Sequence, residues 1–119
     1  MATIRQSLDE LLTCDGAMCC AVVDSDSGMM LGSAGSGVDL EVAAAGNTEV
    51  VRAKQKVMRS LGLNDVIEDI LITLGKHYHL IRPSSRKEGA FVYFVLDKSK
   101  ANLALARRKM QEVDKNLTF

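Results

Sequence analysis

The chain has 119 residues, of which 47 % are apolar and 25 % charged, so it has a globular composition and its length suits one domain over residues 1–119. The 15 Lys and Arg balance the 15 Asp and Glu, and with no Trp and 4 % aromatic residues the chain lacks the cationic field and stacking platforms of strong nucleic-acid binders. Its apolar runs are too short for a membrane span and its N-terminus lacks a signal-peptide pattern, so we expect a cytoplasmic protein without membrane insertion.

The first predicted element is a short helix over residues 3–14. Thr3 and Gln6 have the spacing of a capping box, in which each side chain satisfies a backbone amide at the helix start. Apolar residues then recur at positions 4, 8, 11 and 12 on one face, and Asp15-Gly16 ends the helix.

A β-hairpin is predicted next, because the apolar segments Ala17–Val23 and Met29–Leu31 flank a polar turn that ends in Gly28. The turn Asp24–Gly28 resembles the start of a calcium loop, but the third oxygen ligand, the following glycine and the distal Glu of an EF-hand are all missing. We therefore expect a turn and no calcium site.

The three cysteines, Cys14, Cys19 and Cys20, cannot all pair, and no Cys-x-x-Cys spacing is present. Cys19 and Cys20 stand inside an apolar run. We therefore expect them to behave as small buried residues of a strand rather than as redox groups.

A loop with three glycines between residues 32 and 37 leads into a long helix predicted over residues 39–61. Asp39 is its expected N-cap and Gly62 its stop. Glycines before a helix can hold a phosphate, but the Gly-Lys-Ser/Thr of a P-loop is absent and Asp39 would repel the anion. No nucleotide or other cofactor is therefore predicted.

The long helix has a wide apolar face. At about 100° per residue its apolar side chains spread over about half of the circumference, whereas a stripe of about 100° suffices to cover a sheet. Asn47 and Lys54 lie within this arc, where they would separate two contact faces or lie at the edge of an interface. The small residues Ala43–Gly46 would let another helix approach closely, although an Ala-rich segment is also a good helix former by itself. We predict that this helix contacts a second helix as well as its own sheet.

The apolar strand predicted at Ile67–Leu74 supports the same conclusion. At a sheet edge it would invite uncontrolled pairing, whereas pairing with its own copy across a two-fold axis would remove the edge and bury the helix arc as well. We predict a homodimer whose interface contains the residues Leu40, Ala43, Ala44, Asn47, Val50, Val51, Lys54, Met58, Ile70 and Ile72.

Two more strands are predicted at His77–Arg82 and Phe91–Leu96, and a final helix over residues 103–117. Phe91–Leu96 is apolar at consecutive positions, so both of its faces should be covered and it should lie near the centre of the sheet. The order α-β-β-α-β-β-β-α predicts an α/β sandwich of three layers around a five-stranded antiparallel sheet.

Candidate catalytic and metal-binding residues are few. His77 and His79 are two apart on a predicted strand, so both rings point to one face and could share a metal ion. No third ligand is in view, and a solvated strand face is the simpler interpretation. No Ser-His-Asp or Cys-His set has recognisable local context. We therefore predict no metal site, no catalytic residue and no enzymatic activity.

The order and spacing of these elements resemble the dynein light-chain roadblock family, and in particular its prokaryotic members of the small-GTPase-regulator type. The matching segments are Leu8–Leu12, Asp15-Gly16, Ala21–Asp24 with the turn at Gly28, Leu61–Leu63, Tyr78–Pro83 and Ala101–Arg107. Met18-Cys19-Cys20 departs from the family, whose members usually carry Gly and aliphatic residues there. The resemblance covers nearly the whole chain.

The resemblance implies a profilin-like three-layer α/β/α fold and a homodimer whose central helices pack antiparallel and whose third strands join two sheets. It also implies a non-catalytic regulator or scaffold that binds a small Ras-like GTPase, and that stimulates hydrolysis, where it does so, by remodelling the GTPase's own active site rather than by lending an arginine. A second interpretation is a small-ligand sensor or small enzyme on the same sheet, which would need a polar pocket that the sequence does not indicate.

Overall fold

The computed structural model describes residues 1–119 as three helices and five strands. In chain order these are α1 (Ile4–Leu11), β1 (Ala17–Asp24), β2 (Met29–Gly35), α2 (Leu40–Ser60), β3 (Ile70–Thr73), β4 (His77–Pro83), β5 (Ala90–Asp97) and α3 (Leu103–Asn116). The predicted order of elements is confirmed. None of the three helices is both long and apolar enough to cross a lipid bilayer.

The five strands form one antiparallel sheet in the order β2-β1-β5-β4-β3. β5 is the middle strand, and every residue from Ala90 to Leu96 is buried, as the consecutive apolar positions predict. β2 and β3 are the two edges of the sheet, so each has a neighbouring strand on one side only.

Helices cover both faces of the sheet, which confirms the three-layer α/β/α sandwich. On one face α1 and α3 pack against the sheet, in an apolar cluster that includes Leu11, Phe94 and Met110. On the other face α2 packs alone, in a cluster that includes Val51 and Tyr93. The sheet therefore separates two apolar cores.

The adjacent cysteines of β1 contribute one side chain to each core. Cys20 belongs to the α1–α3 cluster and Cys19 to the α2 cluster, and both are fully buried. Burial raises the pKa of the Cys20 thiol to about 12, so the thiol stays protonated at neutral pH and is a poor nucleophile. The prediction that both cysteines act as buried strand residues is confirmed.

Local signals in the sequence set the ends of the first two helices. Thr3 caps α1 through its Oγ1, which accepts from the amide of Gln6 at 3.1 Å, while Gln6 Oε1 accepts from the amide of Thr3 at 3.0 Å. Asp39 Oδ1 accepts from the amide of Val42 at 3.3 Å and caps α2. Gly62, with φ of +70°, follows the last turn of α2 in the left-handed conformation that glycine adopts readily. The predicted capping residues are confirmed.

The glycine loop predicted after Leu31 is wrong in part, because β2 continues to Gly35. Gly32 pairs with Val22 of β1, and a Cβ at Gly32 would lie 2.7 Å from Cγ2 of Ile4 on α1. The glycine therefore lets α1 pack closely on the sheet edge. Tertiary packing rather than a phosphate site explains this residue.

Two other predicted elements are shorter in the structure. α1 ends at Leu11 rather than at residue 14. The strand predicted at Ile67–Leu74 is limited to Ile70–Thr73, the part that pairs with β4. Contacts from elsewhere in the chain hold the preceding residues: Arg82 Nη1 donates to the carbonyl of Glu68 at 3.1 Å, and Arg107 Nη2 and Nε donate to the carboxylate of Asp69 at 2.6 and 3.0 Å.

Candidate functional site

The candidate site is the face of the sheet that carries α2, because α2 covers only part of it. The helix packs chiefly on β1 and β2, at one side of the sheet. On the other side, Ile70 and Ile72 of β3 and His79 of β4 are only half-buried. These side chains share the face with the α2 cluster and so mark a strip of sheet that no helix of the same protomer covers.

The inner side of α2 belongs to the core of the protomer. Ala44 and Val51 are 1 % and 2 % exposed and pack in the α2 cluster, and Thr48 between them donates its hydroxyl to the carbonyl of Ala44 at 2.8 Å. The sequence placed Ala44 and Val51 in a dimer interface, but the structure turns both toward their own sheet. They are therefore core residues, and a charge at either would unfold the protomer rather than test association.

The other predicted interface residues lie at the flank of α2 and on β3. Val50 and Lys54 are exposed, and the remaining six, which are Leu40, Ala43, Asn47, Met58, Ile70 and Ile72, are half-buried. The structure brings Val50, Lys54, Met58 and Ile70 together along one groove, whose far wall is the segment 65–69. The flank of α2 and the edge strand therefore form one continuous surface.

The outward side of α2 carries an apolar stripe that the predicted interface set largely omitted. Gly46, Val50, Ala53 and Val57 follow each other at spacings of four, three and four residues, so they lie on one side of the helix, and all four are exposed. Leu61 at the helix end is 65 % exposed and extends the apolar surface. We call these five residues the outer stripe.

Gly46 has no structural reason within its own protomer. A Cβ built at this position meets no atom within 4 Å, and the backbone there is ordinary helix. Glycine in a helix interior costs about 1 kcal/mol relative to alanine. A contact outside the protomer would account for the residue.

The edge strand β3 adds an open row of backbone groups next to the outer stripe. Its four residues Ile70–Thr73 pair only with β4, and none of them is charged or proline, the residues that usually protect an edge. Leu63 and Val66, in the segment between α2 and β3, are 53 % and 78 % exposed. Apolar surface thus continues from the helix to the edge of the sheet.

A buried carboxylate attaches the C-terminal end of α3 to the sheet beside β3. Asp114 is fully buried and accepts from the hydroxyls of Ser84 and Ser85, both at 2.7 Å, and from Arg82 Nε at 3.3 Å. Burial pushes the pKa of Asp114 up, but the hydrogen bonds from Ser85, Ser84 and Arg82 outweigh it and hold the pKa below its usual value. Because Arg82 also binds Glu68, this network ties α3 to the start of the edge strand.

Three of the four arginines in β4, the β4–β5 loop and α3 are engaged within the protomer. Arg82 binds Asp114, Arg107 binds Asp69, and Arg86 Nε donates to the carbonyl of Leu117 at 3.3 Å. Arg108, on α3, is exposed and has no ion pair. The surface therefore offers one unengaged guanidinium among these four.

The two histidines lie on the α2 face rather than on a solvated strand face. Both are half-buried, and His79 Nδ1 is 2.9 Å from the hydroxyl of Tyr93. His79 Nε2 is 3.5 Å from His77 Nδ1. Burial and the neighbouring His77 lower the pKa of His79, and burial raises the pKa of Tyr93 to about 12. No group of three His, Cys, Asp or Glu side chains is placed to hold a metal ion.

A polar groove between α1 and α3 is one candidate for a small-ligand pocket. Its lining includes Ser7, Glu10 and Glu112. Both glutamates already pair with Lys109, at 3.1 and 3.6 Å, and the hydroxyl of Ser7 is buried below the surface without a partner. Both glutamates of the groove are therefore engaged within the protomer.

Comparison with solved structures identifies the fold. MglB of Myxococcus xanthus is similar with a TM-score of 0.82 and 18 % identity, over 94 % of this chain and 89 % of that one. A Roadblock/LC7 domain from Streptomyces avermitilis has a TM-score of 0.81 and 11 % identity, over 96 % and 93 %. The gliding protein MglB from Thermus thermophilus has a TM-score of 0.80 and 18 % identity, over 94 % and 83 %. The chain therefore has the roadblock fold. Its sequence matches no protein-family model and no curated protein.

Proposed function

We propose that the protein is a non-catalytic regulatory or scaffold module, a single cytoplasmic domain that forms a homodimer and binds a small Ras-like GTPase. The observation that carries the proposal is the exposed outer stripe of α2 beside the open edge of β3. Both features need a partner, and both lie on the same side of the molecule. A two-fold axis along this side would satisfy them together.

The proposed dimer pairs β3 with its own copy. Antiparallel pairing about a two-fold axis would join two five-stranded sheets into one of ten strands and would bring the two α2 helices side by side. The small residues Gly46 and Ala53 of the outer stripe would let the helices approach closely, and Val50 and Val57 would fill the contact. An apolar stripe left in water would add to an exposed patch of the kind that monomers usually avoid.

The fold supports a regulatory role. Solved structures with this fold include a gliding protein, and one MglB structure has a tetrameric arrangement, so self-association occurs on this scaffold. The segments that resemble the roadblock family, such as Tyr78–Pro83, imply a small GTPase as the partner. Gly32 and Gly35 belong to β2 rather than to a loop before α2. We infer that the chain acts on a nucleotide held by another protein.

The first experiment measures the mass of the protein in solution. Light scattering after gel filtration at micromolar concentration should give twice the mass of one chain. Ala53→Asp places a charge in the outer stripe and should give a monomer. Ala45→Asp makes the same change at an exposed position on another side of α2 and should leave the dimer intact.

The outcomes of this experiment distinguish whether the protein forms a dimer from which surface the dimer uses. A wild-type monomer would contradict the dimer. A dimer that tolerates Ala53→Asp would show that another surface is used. Circular dichroism of both variants checks that α2 remains folded, so that a monomer can be assigned to the lost contact.

The second experiment tests the partner. The dimer should bind a Ras-like GTPase loaded with GTP more tightly than the same GTPase loaded with GDP, and should hydrolyse no GTP alone. If hydrolysis is stimulated, Ala substitutions at Arg82, Arg86, Arg107 and Arg108 should each leave most of the stimulation intact. A loss of about 10³-fold from one substitution, with binding retained, would indicate an arginine finger and contradict remodelling.

A further inference from the structure

A polar chain runs from α2 across the sheet beneath the candidate surface. The hydroxyl of Tyr93 on β5, near the side chain of Asn47 on α2, is 2.9 Å from His79 Nδ1 on β4. His79 Nε2 is in turn 3.5 Å from His77 Nδ1, near the end of the strand.

The ring geometry favours a shared proton over a metal ion between the histidines. The ring centroids of His77 and His79 are 5.6 Å apart, the ring planes differ by 19°, and the facing nitrogens are 3.5 Å apart. The nitrogens therefore lie almost on the line between the centroids, so the rings meet edge to edge. A tetrahedral metal would need the two lone pairs to converge at an angle.

When His79 is neutral, the hydrogen bonds that join Tyr93, His79 and His77 all run in one direction. Tyr93 donates its hydroxyl proton to Nδ1 of His79, and the Nε2–H of His79 points to Nδ1 of His77. In this assignment Nδ1 is unprotonated and can accept the hydroxyl proton of Tyr93. The hydrogen bond of 2.9 Å then satisfies a hydroxyl that belongs to a residue only 1 % exposed.

The charged and titratable neighbours of His79 are few. Its own strand contributes His77, β1 contributes the buried Cys19 beside Tyr93, and β5 contributes Tyr93 and, opposite His77, Asp97. β3 places the apolar Ile72 directly opposite His79. α2 presents the neutral Asn47, and its nearest charged residue on this flank, Lys54, lines the groove beside Ile70. No carboxylate neutralises a proton on His79.

We propose that His79 makes self-association pH-dependent, so that protonation of its imidazole at mildly acidic pH dissociates the dimer. This inference rests on the proposed dimer through α2 and β3. The opposing Ile72 and the neighbouring Asn47 are both in the predicted interface, so the partner covers the strip of sheet that holds His79.

Protonation of His79 disrupts this row of hydrogen bonds at two points. With hydrogens on both ring nitrogens, His79 cannot accept from Tyr93, so Tyr93 must become the acceptor and turn its own proton elsewhere. Asn47 on α2 is the polar neighbour toward which this proton would turn. The change reaches α2 at an interface residue. It also places a positive charge under an apolar contact without an acid to pair with it.

The direction of the pH dependence follows from the burial of His79. Burial and His77 already hold the pKa of His79 below 6.5 in one protomer. Removing more water lowers the pKa further, so the dimer binds protons less readily than the monomer. Association is therefore strongest above pH 6.5 and weakens as the pH falls through the pKa of the monomer. A difference of one unit at each of two copies raises the dissociation constant up to about 100-fold.

The test is the dimer dissociation constant at pH 7.5, 6.5 and 5.5, measured by sedimentation equilibrium on the full chain. Wild type should dissociate more readily at pH 5.5 than at pH 7.5. His79→Asn keeps an acceptor oxygen near the position of Nδ1 and has no titrating group, so its dissociation constant should stay constant. His77→Asn is the matched control on the same strand, and its pH dependence should persist, with the midpoint at slightly higher pH. Circular dichroism at each pH monitors the fold.

The failures of this inference and of the proposed dimer are distinguishable. A wild-type dimer with the same dissociation constant at all three pH values would overturn the switch and leave the dimer standing. A wild-type monomer at every pH would overturn both. A pH dependence that persists in His79→Asn, or disappears in His77→Asn, would place the switch elsewhere and overturn the assignment. NMR titration adds a direct measurement, because the pKa of His79 should be lower in wild type than in the monomeric Ala53→Asp.

Discussion

Two helices, α1 and α3, cover one face of the sheet, whereas α2 alone covers the other. On the first face Leu8, Leu11 and Phe94 are at most 1 % exposed. On the second face the side chains over β1 are buried just as completely, but Ile70 and Ile72 of β3 remain half-exposed. The two faces therefore differ in coverage across the width of the sheet.

The widths of the elements explain the difference. Strands lie about 4.8 Å apart, so five strands span roughly 20 Å, and a helix with its side chains is about 10 Å wide. Two helices cover such a sheet, and one helix covers half of it. The uncovered half has room for one more helix. In the proposed dimer the uncovered halves of the two sheets adjoin at the β3 pair, and the two α2 helices border this shared strip.

The largest expected effect concerns the face of the sheet that α1 and α3 cover. Phe94→Ala should lower the free energy of unfolding by about 3–5 kcal/mol, because a fully buried ring is replaced by a cavity. Urea unfolding followed by circular dichroism measures it. Leu105→Ala, at an exposed position of α3, is the control and should change stability by less than about 0.5 kcal/mol. A loss below about 1 kcal/mol for Phe94→Ala would show that this face is loosely packed.

The next effect concerns the attachment of α3 to the covered face. Asp114→Asn should cost about 2 kcal/mol at pH 7, since an amide cannot accept all the hydrogen bonds that the buried carboxylate receives. The folded-state pKa of Asp114 is depressed, so its contribution is fully present above pH about 4 and is lost as the pH falls through the folded value. Acid unfolding should therefore be less steep in the variant. As a control, Asp15→Asn at an exposed position should leave the acid unfolding curve unchanged.

The smallest effect is the most informative about the uncovered face. Gly46→Ala should raise the stability of an isolated protomer by about 1 kcal/mol, because alanine favours the helix and its methyl group meets no atom. In the proposed dimer the same methyl group would enter the helix–helix contact and weaken association. The variant should thus melt higher at nanomolar concentration and dissociate more readily in sedimentation experiments. A more stable protomer with unchanged association would exclude Gly46 from the interface.

Most of the fold could be predicted because its signals are local. The capping box at Thr3, the cap at Asp39 and the stop at Gly62 each depend on neighbouring residues in the chain. The central strand Ala90–Asp97 is apolar at consecutive positions up to Leu96, which marks a strand covered on both faces. Such patterns do not depend on which elements meet in space.

The errors concern contacts between distant segments. Gly32 was predicted in a loop because nothing near it in sequence shows that Ile4 packs against it. The strand was predicted to begin at Ile67 because the sequence does not show the ion pair that holds Asp69. The partner in that ion pair, Arg107, lies 38 positions further along the chain. A sequence cannot show such pairs directly.

The sequence could not show which side of α2 faces its own sheet. A helical wheel gives the width of the apolar face of α2, but it does not show where the helix lies on the sheet. α2 lies to one side, so Ala44 and Val51 face the core while Ala53 and Val57 face outward. The same offset explains the histidines: His79 was expected in water, yet it lies half-buried beside Tyr93.

The position of β1 and β5 has a consequence for how the protein unfolds. Both strands are interior to the sheet and each contributes side chains to both apolar cores, as Cys19 and Cys20 do from β1 and Tyr93 and Phe94 do from β5. Neither core can open while the other stays intact, because they share the same two strands. We expect one cooperative transition, with the slowest hydrogen exchange at the amides that join β1 to β5 and much faster exchange in the edge strands.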